Sequence, residues 1–197
     1  MKVQRIPTSK EEYLKRVARE SFRMSYSGLR LVTGTTKTEI EHFFVSSFPM
    51  QDVWDNASKT ANTFDKWHKH QVQAISERLD GRMRREDYIA TAIAAKFLNT
   101  FLHQLMKYGK CRSLWKHLHL PLDRIVFDEL KALSRRSVAL KPVASLFDKS
   151  PYSITPKEYR RIQISLKNYM NELNGQPAFQ PALTSRIEFN AVLWSRK

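Results

Sequence analysis

The sequence predicts an all-α protein, a multi-helix bundle of roughly seven or eight helices. Three observations point there. Glycine and proline are scarce, with 5 and 8 in 197 residues. Strand-like alternation of apolar and polar residues is sparse. The hydrophobic fraction is 42% and the aromatic fraction 11%, enough to bury a core and to exclude wholesale disorder. The length suits a single domain over residues 1–197, with room for two lobes and a cleft between them.

The elements follow in order. Ser9, with Glu11 and Glu12 behind it, is placed to cap a first helix over Tyr13 to Phe22. Ser25 to Thr36, with Gly28 and Gly34, is turn-rich. Thr38 to Phe48 reads as a short helix ended by Pro49. Asp52 to Leu79 is a long helical region broken near Asn62 and stopped at Asp80-Gly81. Glu86 to Tyr108 is the clearest helix, ending at Gly109. Arg112 to His119 adds a turn or two. Pro121 is placed at the start of a helix over Leu122 to Leu133, where a proline's missing N–H goes unnoticed. Lys141 to Thr155 reads as a loop, and Pro156 to Leu173 as a further helix. The tail, Asn174 to Lys197, holds a short apolar segment over Ile187 to Trp194.

Composition narrows the function. Lys+Arg number 34 against 19 Asp+Glu, a net charge of +15. A compact domain this basic attracts polyanions, and nucleic acid is the expected partner. No apolar run approaches the ~18 residues of a membrane span, and a membrane is not expected as a partner. The N-terminus lacks the apolar stretch of a secretory signal, and the one cysteine, Cys111, excludes an internal disulfide framework. A cytoplasmic monomer is therefore expected.

The central helix carries the most chemistry. On a wheel of about 100° per residue, Ala94, Leu98, Phe101, Leu102 and Leu105 cluster on one face. Lys96, Thr100, His103 and Lys107 form an opposing polar stripe, with Asn99 beside it. That stripe is either a solvated face or the lining of a cleft. Alanines at 90, 92, 94 and 95 leave room around the helix. A lysine partly desolvated among small residues is pushed toward the neutral, nucleophilic form. Downstream, Asp123 falls in the first turn of the helix that Pro121 would open, where the helix dipole favours a carboxylate.

The two stretches AAKFLNTFLHQL and LPLDRIVFDEL together resemble the catalytic region of the helix-hairpin-helix DNA glycosylase superfamily, nearest its archaeal 8-oxoguanine branch. The resemblance covers Ile89 to Leu130. It implies a helix-hairpin-helix glycosylase-like fold with Lys96 as nucleophile and Asp123 as the stabilising or activating carboxylate. It also implies excision of a damaged or modified base after base flipping, with associated strand cleavage as a further capacity. Oxidised bases in repair and modified phage bases in antiviral defence are the two substrate classes. The Leu-Pro-Gly-Val-Gly hairpin common elsewhere in the superfamily is absent, and Gly109 is the only glycine between Lys96 and Asp123. No cofactor and no metal is expected.

Around this pair, Lys107, Lys110, Arg112, Lys116 and Arg124 are candidates to hold DNA phosphates. Trp54, Phe64, Trp67 and Trp115 are candidates for the base pocket or wedge, or for core packing. Two other readings stand beside this one. Arg112 and His117 match the Arg-x4-His spacing of HEPN-type ribonucleases. A non-enzymatic, basic nucleic-acid-binding protein also fits the composition. The histidine pairs 68/70 and 117/119 suggest a metal at first sight. An i,i+2 pair on a helix points to different faces, and the second pair converges only if its segment is extended.

Overall fold

The computed structural model describes residues 31–33, 36–49, 52–53, 60–109 and 112–175, with residues 9, 12, 15, 16, 18 and 19 near the N-terminus. Among the described residues the chain is ordered by α1 (Thr36–His42), α2 (Ala61–Leu79), α3 (Ala90–Gly109), α4 (Arg124–Ser134) and α5 (Pro156–Asn174). Two 3-10 turns, Arg112–His117 and Lys141–Asp148, lie between them. Among the described residues there is no strand; Val32 and Met83 form an isolated antiparallel bridge. The described residues form an all-α fold. The predicted Ile187–Trp194 segment and the turn-rich stretch before residue 31 lie outside the described residues.

Caps explain where the helices begin. At the N-terminus, Glu12 N–H donates to Ser9 Oγ at 3.1 Å, the capping bond expected there. The break expected near Asn62 comes just before it: Thr60 is extended and its hydroxyl accepts from Thr63 N–H at 3.1 Å. Thr155 and Glu158 form a reciprocal capping box at the head of α5, with Pro156 in its first turn. Helix α2 stops where expected, because Gly81 adopts φ 68°, a left-handed conformation that favours glycine.

Four expectations are corrected. The Thr38 to Phe48 helix is shorter, and Phe43–Ser47 forms a wider π turn in which Phe48 N–H donates to Phe43 C=O at 2.7 Å. That widening accompanies burial of Phe43, Phe44 and Phe48 together. Helix α3 starts at Ala90 rather than Glu86, because Arg85 pairs with Asp87 in a turn and Ile89 N–H is taken by Tyr152 C=O at 2.8 Å. Pro121 does not open a helix; it lies before α4, which begins at Arg124. The Lys141 to Thr155 stretch is no plain loop, since Lys141–Asp148 coils so that Val143, Leu146 and Phe147 bury.

The apolar side chains gather in two clusters that meet along α3. The first is rich in phenylalanine and joins α1, α2 and most of the inner face of α3. Phe101 lies within 4.4 Å of Phe44 and 5.1 Å of Phe48, ring centre to ring centre. The second is mainly aliphatic and joins α4, α5 and the Lys141–Asp148 turn, with Ala92 of α3 at its edge. Helix α3 therefore has no fully exposed side chain over residues 90–106. Of its polar stripe, Lys96, Thr100 and His103 are partly buried.

Candidate functional site

Lys96 projects from that half-buried stripe, and its Nζ donates to the Tyr152 hydroxyl at 2.8 Å. Tyr152 is itself fixed. Its carbonyl holds Ile89 N–H, and its ring meets that of Tyr88 edge-on at 5.4 Å. The amine is thus tethered at its tip rather than left to sample rotamers. Thr100, one turn on, turns its hydroxyl back to Lys96 C=O at 2.9 Å.

Asp123 is the N-cap of α4, ahead of the first-turn place expected for it. Its Oδ1 accepts from Val126 N–H at 2.9 Å and its carbonyl from Phe127 N–H at 2.9 Å. The carboxylate therefore sits at the N-terminal end of the helix, where it satisfies an amide of the first turn. No hydrogen bond or ion pair joins Lys96 to Asp123 among the described residues.

What does join their elements is a chain of buried polar groups. His68 Nε2 meets Asn99 Oδ1 at 2.7 Å, and Asn99 Nδ2 donates to the Tyr159 hydroxyl at 2.8 Å. The Tyr159 hydroxyl meets His119 Nδ1 at 3.0 Å, and His119 Nε2 meets Asp65 Oδ1 at 2.9 Å. Partner chemistry fixes the proton positions. Since Asn99 gives its amide hydrogen to Tyr159, its oxygen accepts from His68 Nε2–H. Since Asp65 only accepts, His119 Nε2 carries a hydrogen, and in the neutral ring Nδ1 accepts from the Tyr159 hydroxyl. With that neutral ring every bond points the same way, from the core toward the half-exposed Asp65, an arrangement whose dipoles reinforce one another.

Beside this chain, Gln163 makes two bonds to one residue. Leu120 N–H donates to its Oε1 at 3.2 Å, and its Nε2 donates to Leu120 C=O at 2.9 Å. A carboxamide thus stands in for a strand partner, which lets the irregular 118–122 segment run buried.

The remaining sequence candidates fall out unevenly. Phe64 is fully buried and belongs to the first cluster, so its role is core packing rather than wedge or pocket. Trp67 and Trp115 are half-buried, Trp67 edge-on to Phe48 and Trp115 beside His103. Lys116 and Arg124 are exposed, and Arg124 pairs with Asp128 at 3.1 Å. Trp54 and Lys110 lie outside the described residues, as do the side chains of Lys107 and Arg112. His117 is buried against the Phe64 ring, at the end of a six-residue 3-10 turn.

Sequence reasoning missed Asp65, His119, Tyr152, Tyr159 and Gln163 as site residues. It also did not show that members of the two histidine pairs meet across the fold, the His68 and His119 rings lying 4.2 Å apart. A signal existed in α2. His68 occupies the apolar stripe of Phe64, Ile75 and Leu79, where a polar residue needs a buried partner. No group of three or more His, Cys, Asp or Glu among the described residues is arranged to hold a metal ion. A separate groove of about 530 Å³, lined by Thr38, Glu39, His42, Phe43, Ser47 and Arg78, includes none of the sequence candidates. Comparison with protein-family models, curated proteins and solved structures found no match.

Proposed function

We propose that the chain is a DNA N-glycosylase in which Lys96 and Asp123 act on one flipped nucleotide. The observation that carries this reading is the tethered, half-buried amine of Lys96 on a helix bonded through Asn99 and Tyr159 to the segment that ends at Asp123. The net charge of +15 supports a polyanionic substrate, and the likeness of residues 89–130 to the glycosylase catalytic region supplies the reaction.

The chemistry is self-contained. The Lys96 amine, once it has given up a proton, donates its lone pair to the deoxyribose C1′, the C1′–N bond breaks toward the base, and the base leaves with that electron pair and takes up a proton. The Asp123 carboxylate stabilises positive charge developing on the sugar. The attached nitrogen loses a proton, the C1′–O4′ bond breaks with O4′ taking up a proton, and the resulting Schiff base loses a C2′ proton to solvent as the C3′–O bond breaks and the 3′ phosphate leaves. Oxidised bases and modified phage bases are the substrate classes to test.

The alternative Arg112–His117 ribonuclease draws less support, because the buried His117 does not stand at the surface where a partner protomer would meet it. The test is mass spectrometry of bases released from a panel of damaged and phage-modified DNAs. Base release is expected from the wild type and should fall at least about a hundredfold in Lys96→Gln and Asp123→Asn, the scale at which charge-stabilising groups act. Undiminished release by both variants overturns the assignment.

A further inference from the structure

Tyr159 and Gln163 lie one helical turn apart on the same face of α5. Each grips the chain just ahead of Asp123: Tyr159 through His119, and Gln163 through both backbone groups of Leu120. Tyr159 also takes a hydrogen bond from Asn99, one turn beyond Lys96 on α3. One tyrosine hydroxyl thus bridges the helix that carries the amine and the segment that carries the carboxylate. The apolar clusters alone do not fix that relation, because aliphatic side chains tolerate sliding whereas hydrogen bonds have a defined length and direction.

Building on the glycosylase reading, we propose that Tyr159 and Gln163 are positioning residues for the reaction: they hold the Asp123 carboxylate in register with the Lys96 amine. Neither needs to touch DNA. Asp65 and His119 complete the device by fixing the ring that receives the tyrosine proton. Rings support the same geometry, since His68 stacks parallel to Tyr159 with an interplanar angle of 5°. Removing the hydroxyl alone leaves that stack in place.

The test uses the full chain with Tyr159→Phe, and Gln163→Met as a second variant that leaves the tyrosine bridge intact. For each, the single-turnover base-release rate and the DNA dissociation constant are measured on samples matched for folded fraction by circular dichroism. The expected result is a fall of about 10- to 100-fold in the rate with DNA affinity unchanged, the size of effect that sub-ångström misplacement of reacting groups produces. A merely structural role lowers thermal stability but leaves the rate of the folded fraction alone. Should Tyr159→Phe fail to fold, Gln163→Met decides. Wild-type activity with unchanged rates in the folded variants overturns this inference and leaves the glycosylase reading standing. Failure of the wild type to release any base overturns both.

Discussion

The apolar clusters and the polar seam between them hold the molecule together in different ways. In the phenylalanine-rich cluster, Phe44, Phe48 and Phe101 are buried with their rings at varied angles, from 34° to 70°. Stability there comes from area removed from water, which depends weakly on direction. In the seam, His68, Asn99, His119 and Gln163 are buried polar groups whose burial is favourable only while each bond is made. The difference teaches where sensitivity lies. Damage to a cluster weakens the whole fold. Damage to the seam disturbs the relation between α3, α5 and the segment leading to Asp123.

The largest effect is expected in the cluster. Phe101→Ala should lower unfolding free energy by about 3–5 kcal/mol, as loss of a fully buried ring does, read by urea denaturation. A loss under about 1 kcal/mol would mean that the phenylalanine-rich cluster is not tightly packed around Phe101. Next comes the seam. Asn99→Ala strands the His68 N–H and removes a donor from Tyr159, with an expected loss of about 1–3 kcal/mol. Combined with Tyr159→Phe it should be non-additive by about 0.5 kcal/mol or more, because the two side chains share one bond. Strict additivity would show that the seam is a set of independent contacts.

The smallest effect is expected at the exposed head of α5. Thr155→Ala removes the capping hydroxyl and should cost about 1 kcal/mol. The same site gives a pH signature. The hydrogen bond from Lys149, then those from Thr155, hold the Glu158 carboxyl down to about 2, below its ordinary 4.5. Its contribution is therefore complete above pH 4.5 and lost as pH falls from there toward 2. Glu158→Gln should flatten stability against pH across that window and leave it unchanged near neutrality in slope.

These regions were unequally legible in the amino-acid sequence. Ala94, Leu98, Phe101, Leu102 and Leu105 share a helical face, and all five are buried, because helical periodicity is a local property. Ser9 and Gly81 were likewise readable as a cap and a stop. Pro121 misled: proline suits a first helical turn and an extended segment alike, and here Asp123, with a side chain able to accept Val126 N–H, sets the boundary. The seam was hidden for a different reason. The Asn99 and Tyr159 side chains, and those of Asp65 and His119, pair across long stretches of chain. No local pattern encodes which distant polar group will satisfy another. What was visible was only the demand, a histidine in an apolar stripe of α2.

The most direct test of the account is borohydride trapping on DNA carrying an abasic site. The wild-type chain should form a covalent protein–DNA adduct, retained in a variant of the exposed Lys141, Lys141→Gln, and lost in Lys96→Gln. Absence of an adduct from the wild type, or an adduct of equal yield in Lys96→Gln, would contradict the assignment of the tethered amine as the nucleophile.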